Sequence, residues 1–175
     1  MAIRFEYYNT GDDNMLGFYG INWLAQTFTP SIAHKITSVK LKLRRIAASG
    51  YPGTITVGIR NTDESGQPTG DDLCAGTTDG DTLTTDQGGE WREITIDNEY
   101  NLIIGVKYAI VIRAPDGSGV HSADWRADQS SPTYSGGCIE KSYNSGSSWI
   151  TDSSRDFMFE DWGEKQAPLP MHFRS

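Results

Sequence analysis

The chain is short of the residues on which most enzyme chemistry depends. It holds three histidines and two cysteines in 175 residues, and His34, His121 and His172 share no local context. The sequence has no Gly-x-Ser-x-Gly elbow, no His-Glu-x-x-His, no phosphate-binding loop and no dinucleotide fingerprint. Glu90 and Glu93 stand three apart in a strand-like stretch, so they point to opposite faces and cannot act as an acid/base pair. Asp124 and Glu140 could meet only across strands. These shortages set the expectation of a protein that is not an enzyme and has no cofactor. Long apolar runs are missing too, and no stretch approaches the roughly 18 residues of a membrane helix. Basic residues are outnumbered 15 to 23, for a net charge of −8, the wrong sign for a nucleic-acid footprint or an anionic membrane surface. The opening Met-Ala-Ile-Arg-Phe-Glu has no apolar stretch of signal length, and no Asn-x-Ser/Thr sequon occurs. The expectation is a protein made in the cytoplasm, or one separated from its leader or from a larger parent.

What the chain does have is turn formers and β formers. Nineteen glycines and seven prolines leave few places for a long helix, and five tryptophans and eight tyrosines suit packed sheets. Residues 35–45 (KITSVKLKLRR) alternate, with Val39, Leu41 and Leu43 on one face and Lys40, Lys42 and Arg44 on the other. A period of two needs one buried face and one wet face. Residues 54–60 repeat it with Ile55, Val57 and Ile59, and residues 22–30 read as a strand with Leu24, Gln26 and Phe28 on one side. Residues 107–113 (KYAIVIR) are apolar on both faces and predict a central strand. Residues 61–72 (NTDESGQPTGDD) read as a long loop before a short strand at 73–77, and a second loop spans 79–89. Further strands fall at 90–96, 120–126, 138–143, 147–151 and 156–160. About ten strands and no amphipathic helix predict an all-β protein, an antiparallel two-sheet sandwich of jelly-roll type. Residues 1–21 are expected to form an N-terminal strand or arm, 22–163 the sandwich, and 164–175, with two prolines, an extended arm.

From about residue 25 to residue 163 the layout resembles β-sandwich domains of bacterial and archaeal surface proteins and of phage structural proteins, which are similar to carbohydrate-binding modules. The resemblance lies in Ala25-Gln26-Thr27-Phe28-Thr29-Pro30, Ile36-Thr37-Ser38-Val39-Lys40-Leu41, Gly53-Thr54-Ile55-Thr56-Val57 and Gly66-Gln67-Pro68-Thr69-Gly70. It continues in Lys107-Tyr108-Ala109-Ile110-Val111-Ile112, Tyr134-Ser135-Gly136-Gly137, Asn144-Ser145-Gly146-Ser147-Ser148-Trp149 and Asp156-Phe157-Met158-Phe159. It implies a non-catalytic module on an exposed surface. A short chain with its own Met suits a phage virion protein, such as a capsid decoration or fibre component at the virion surface. The alternative is an extracellular carbohydrate-binding module. A homo-oligomer is usual for such virion proteins.

Four sets of residues are candidates for binding. Trp125, Arg126, Asp128, Tyr134, Tyr143, Asn144 and Trp149 combine aromatic faces with planar polar groups, as sugar binding requires. The same residue types equally pack sheets and cover their ends. Pro168, Leu169, Pro170, Met171 and Phe173 make an apolar C-terminal segment suited to lying on a protein partner, a capsid or a sister subunit, or else a frayed terminus. Asp63, Asp71 and Asp72 crowd one loop and offer oxygens to calcium, although acidic residues also simply make good turns. Cys74 and Cys138 are either one long-range disulfide or two free thiols.

Overall fold

The structure, a computed structural model, describes residues 1–167. It is all-β, with 13 antiparallel strands and a single 3-10 turn among the described residues. In chain order the strands are β1 (Ile3–Tyr8), β2 (Asn14–Phe18), β3 (Trp23–Phe28), β4 (His34–Arg45), β5 (Thr54–Thr62), β6 (Pro68–Asp79) and β7 (Glu90–Leu102). They continue as β8 (Tyr108–Arg113), β9 (Ala123–Asp128), β10 (Ile139–Ser142), β11 (Ile150–Asp152), β12 (Asp156–Phe157) and β13 (Phe159–Lys165), and the 3-10 turn is Gly80–Thr82.

The strands form one hydrogen-bonded network in the order β1-β13-β4-β7-β6-β5-β8-β3-β10-β11, with β9 joining β2, β12 and β4 beside it. The network curls into a half-barrel. Its two runs meet at β7, which lies along β4 for most of its length but touches β6 at a single register position, Ala75 opposite Asp97. Gly76 sits at that seam because a β-carbon there would stand 1.9 Å from the Thr95 carbonyl oxygen. Breaks in register between Ile36 and Ser38 on β4 and between Trp162 and Gly163 on β13 add local twist.

Alternation in the sequence decides what faces inward. Val39, Leu41 and Leu43 of β4 and Ile55, Val57 and Ile59 of β5 are all at 0% exposure, with Ile94 and Ile96 of β7 beside them. Strand β8 runs between β5 and β3, and its residues 108–112 are buried on both faces.

One expectation changes, and residues 1–21, read as a strand or an arm, take the strand form. The long loop over residues 61–72 is a hairpin. Only Asp63 to Gly66 form the turn, closed by Asp63 N–H to the Gln67 carbonyl (2.8 Å) and Gly66 N–H to the Asp63 carbonyl (2.9 Å). Pro68 onward already pairs with β5. Residues 1–21 supply two strands of the sheet. β1 pairs with β13 and β2 with β9, and Phe18 is completely buried. The pairing also carries β13 to Lys165, past the expected boundary at residue 163.

Candidate functional site

Most of the aromatic and polar candidates between residues 125 and 149 are consumed by the fold. Trp125 lies in β9 on the inner face at 0% exposure, stacked on Phe157 with ring centroids 4.2 Å apart, and its indole N–H donates to the Met158 carbonyl (2.9 Å). Neither ring face is open to a sugar. Arg126 donates to Asp12 (2.8 Å), which also accepts from Lys42 (3.0 Å). Burial pushes the Asp12 carboxyl up, but these cationic hydrogen bonds outweigh it and hold it below the usual carboxylate range. Asp128 accepts from the Tyr8 hydroxyl (2.6 Å) and from the Ser130 and Ser131 amides. The Tyr134 hydroxyl donates to Glu6 (3.1 Å), and the ring stands edge-on to Phe159. Arg126, Asp128 and Tyr134 therefore tie the N-terminal segment, through Asp12, Tyr8 and Glu6, to the rest of the sheet. No sequence spacing reveals those partners, because they lie more than 100 residues away.

The outer face of β3, β8 and β5 carries the remaining members. Trp149 is 8% exposed and covers Ala25, Ala109 and Val111 next to Trp23, and its indole N–H finds no hydrogen-bond partner among the described residues. Asn144 shapes the loop before it, donating to the Ser148 hydroxyl (2.8 Å) and accepting from the Ser148 amide (2.9 Å). Tyr143 alone of the four candidate aromatics stands well into solvent, at 58% exposure. Near it is Ile21, at 60% exposure, whose carbonyl accepts from the Ser145 amide.

The acidic loop does not assemble a calcium site. The Asp63 carboxylate accepts from the Ser65 and Gln67 amides (2.9 and 3.0 Å) and serves the turn. Asp72 bridges Arg60 and Arg113, whose guanidinium groups lie 5.4 and 5.1 Å from the Trp23 ring centroid. Asp71 is exposed, and no group of three or more metal-ligating side chains forms among the described residues. Burial pushes the Asp72 carboxyl up, and the Arg113 and Arg60 hydrogen bonds more than reverse it, leaving its pKa lowered. Gly58 makes room for this bridge, since a β-carbon there would stand 2.3 Å from the Asp72 carboxyl carbon. Asp72→Ala, which strands two guanidinium groups, is expected to cost about 1–3 kcal/mol in urea unfolding. A cost near zero would show that the bridge is fully screened.

Cys74 and Cys138 are free thiols. Cys74 lies in β6 and Cys138 just before β10, with β5, β8 and β3 between those strands. At about 4.8 Å per strand step that order holds them beyond disulfide reach along the sheet. Burial pushes the Cys74 thiol up to about 12, which makes it an inert core residue. The candidate arm residues Pro168, Leu169, Pro170, Met171 and Phe173 lie outside the described residues.

Two features have no counterpart in the sequence reading. The first is a buried ion pair, His34 Nε2 to Asp161 Oδ2 at 2.7 Å, with both side chains at 0% exposure. Phe5 stacks on the imidazole at 3.8 Å, and Glu6 accepts from the Ser31 amide (2.8 Å) and hydroxyl (2.6 Å) alongside. The second is an apolar end of the sheet. Ile32, Ile103, Ile104 and Val106 are 50%, 56%, 59% and 37% exposed. The turn carrying the last three is tied to the β3–β4 loop by Gly105 N–H to the Pro30 carbonyl (2.9 Å). The "LIIGV" run at 102–106 was the available signal, being apolar beside a glycine in a turn.

Compared with known proteins, the chain matches no family model and no curated protein sequence.

Proposed function

We propose that this protein is a non-catalytic structural component of a phage virion, a capsid decoration or fibre protein exposed on the particle. In this reading the curled sheet is a jelly-roll-like sandwich, and the protein acts by binding other protein subunits. The observation that carries it is the solvent-facing apolar end formed by Ile32, Ile103, Ile104 and Val106. A cluster of large aliphatic side chains in solvent marks a protein contact surface. The polar groups with chemical potential support the same reading, because His34, Asp161, Glu140 and Asp72 are all engaged in internal bonds.

The alternative, a secreted carbohydrate-binding module, is favoured by one feature. Tyr143 presents an exposed ring beside Asn144 at a loop edge. Trp125 and Trp149 no longer contribute an open face to it.

Particles purified from a culture that produces this chain should contain it in fixed stoichiometry by mass spectrometry, with surface labelling by antibody. Its absence from particles overturns the virion reading. Binding on a glycan array that Tyr143→Ala weakens by about tenfold or more would put the carbohydrate-binding reading in its place.

A further inference from the structure

The apolar end lies where the described chain stops. In the β4–β7 ladder His34 pairs with Leu102, and in the β13–β4 ladder Lys165 pairs with His34. Both ladders end at His34, so Ile32, two residues before it, and Ile103 and Ile104, just after Leu102, leave the sheet at the same end as Lys165. Lys165, Gln166 and Ala167 already line an open hollow of about 360 Å³ with Lys35, Asn101 and Glu164 at this corner. Eight further residues follow, Pro-Leu-Pro-Met-His-Phe-Arg-Ser, of which Leu169, Met171 and Phe173 are large and apolar.

We infer that the apolar end formed by Ile32, Ile103, Ile104 and Val106 is the docking site for the C-terminal segment 168–175 of a second copy of this chain. The inference rests on the protein-binding reading above and names the partner. Three observations choose this occupant. The apolar content of the segment matches a patch with four exposed aliphatic side chains and no charged residue among them. Pro168 and Pro170 bring no amide hydrogen, so they cannot prolong the β13–β4 ladder on their own sheet. The segment follows directly on Ala167, which lines the hollow at this corner with Asn101, two residues before the apolar turn at 103–106. Chain exchange of this kind is either reciprocal, giving a closed dimer, or head-to-tail, giving a ring.

The test uses the isolated protein. Light scattering coupled to gel filtration should give a multiple of the 19.3 kDa chain mass for the full chain. It should give the monomer mass for a chain ending at Ala167 and for full-length Ile104→Asp. Ile104 is a turn residue at 59% exposure, so this variant keeps the wild-type melting temperature. A synthetic peptide of residues 166–175 should bind the shortened chain, and Ile104→Asp in that chain should weaken it by about tenfold or more. An unshortened chain that runs as a monomer overturns the exchange. If the peptide still binds the shortened chain in that case, the patch is covered by the chain's own tail. Assembly that survives removal of 168–175 also overturns it. None of these readings needs a particle, so failure here is separate from failure of the virion reading.

Discussion

Asp161→Ala should destabilise the protein by about 3–5 kcal/mol, the range for leaving one partner of a buried ion pair uncompensated. His34 presents both ring nitrogens to acceptors, Nε2 to the Asp161 carboxylate (2.7 Å) and Nδ1 to the Ile32 carbonyl (2.8 Å). Two acceptors call for two N–H donors, so the pair holds a proton that free histidine would give up near neutrality. Burial of the ring opposes that charge, but the hydrogen bond and the charge of Asp161, with Glu6 beyond, outweigh it and raise the His34 pKa. Burial also raises the Asp161 pKa, against the pull of His34. A group whose pKa is higher in the folded state stabilises fully below its unfolded value and loses that contribution as pH rises through the folded one. Both members have this sign. Stability should therefore fall as pH rises from the unfolded histidine value of about 6.5 upward, measured as urea midpoints across pH 6 to about 9.

Asp161→Asn separates charge from packing. An asparagine amide can donate to neutral Nε2 while Nδ1–H still donates to Ile32, so the loss should be well below that of alanine and the decline with pH should flatten. An unchanged decline in Asp161→Asn would sink the assignment to this pair. The pair also sits where β1, β4 and β13 meet, with Phe5 stacked on the imidazole. Its loss should free the N-terminal strand first, visible as early amide exchange in residues 3–8.

Trp125→Ala should cost about 3–5 kcal/mol, in the range for truncating a fully buried aromatic. The side chain is among the largest at 0% exposure, lies flat on Phe157, and satisfies its one donor on the Met158 carbonyl. Against a typical total of about 5–15 kcal/mol, that loss leaves a marginal fold, so any binding lost in this variant follows unfolding. Trp125→Phe keeps most of the stack and loses the hydrogen bond, and it should fall between the two. A cost below about 1 kcal/mol for alanine, read from urea unfolding, would mean that the ring is not the packed core element its stacking indicates.

The all-β character, the inward faces of β4, β5 and β7 and the central place of β8 were legible because alternation and apolar runs are local signals. In Val39-Lys40-Leu41-Lys42-Leu43 the buried and wet faces are separated by the backbone geometry itself. The candidate site was far less legible. Trp125 and Tyr143 look alike as aromatic residues of a β protein, yet one is at 0% and the other at 58% exposure. The difference depends on which strand each lies in and what crosses it. Arg126, Asp128 and Tyr134 resemble a polar binding group until β1 and the following loop bring Glu6, Tyr8 and Asp12 against them. The turn at residues 63–66 was over-read for a physical reason. Gly70, Asp71 and Asp72 are poor strand formers by type, but they form an irregularity between two stretches that pair with β5, Pro68–Thr69 and Cys74 onward, and Arg60 and Arg113 hold the Asp72 carboxylate.

The sequence by itself determined that this protein is a β-sheet protein of acidic composition with no apolar run long enough for a membrane helix, because period, turn residues and charge are properties of short stretches. Only the tertiary structure decided that the first strand closes on the last and that His34 finds Asp161 127 residues away. It alone decided, too, that the sugar-like aromatics are mostly core, while a plain aliphatic turn at 103–106 faces solvent. Those outcomes depend on which distant segments share a strand edge, and pairing across 100 residues or more leaves no trace in the local pattern.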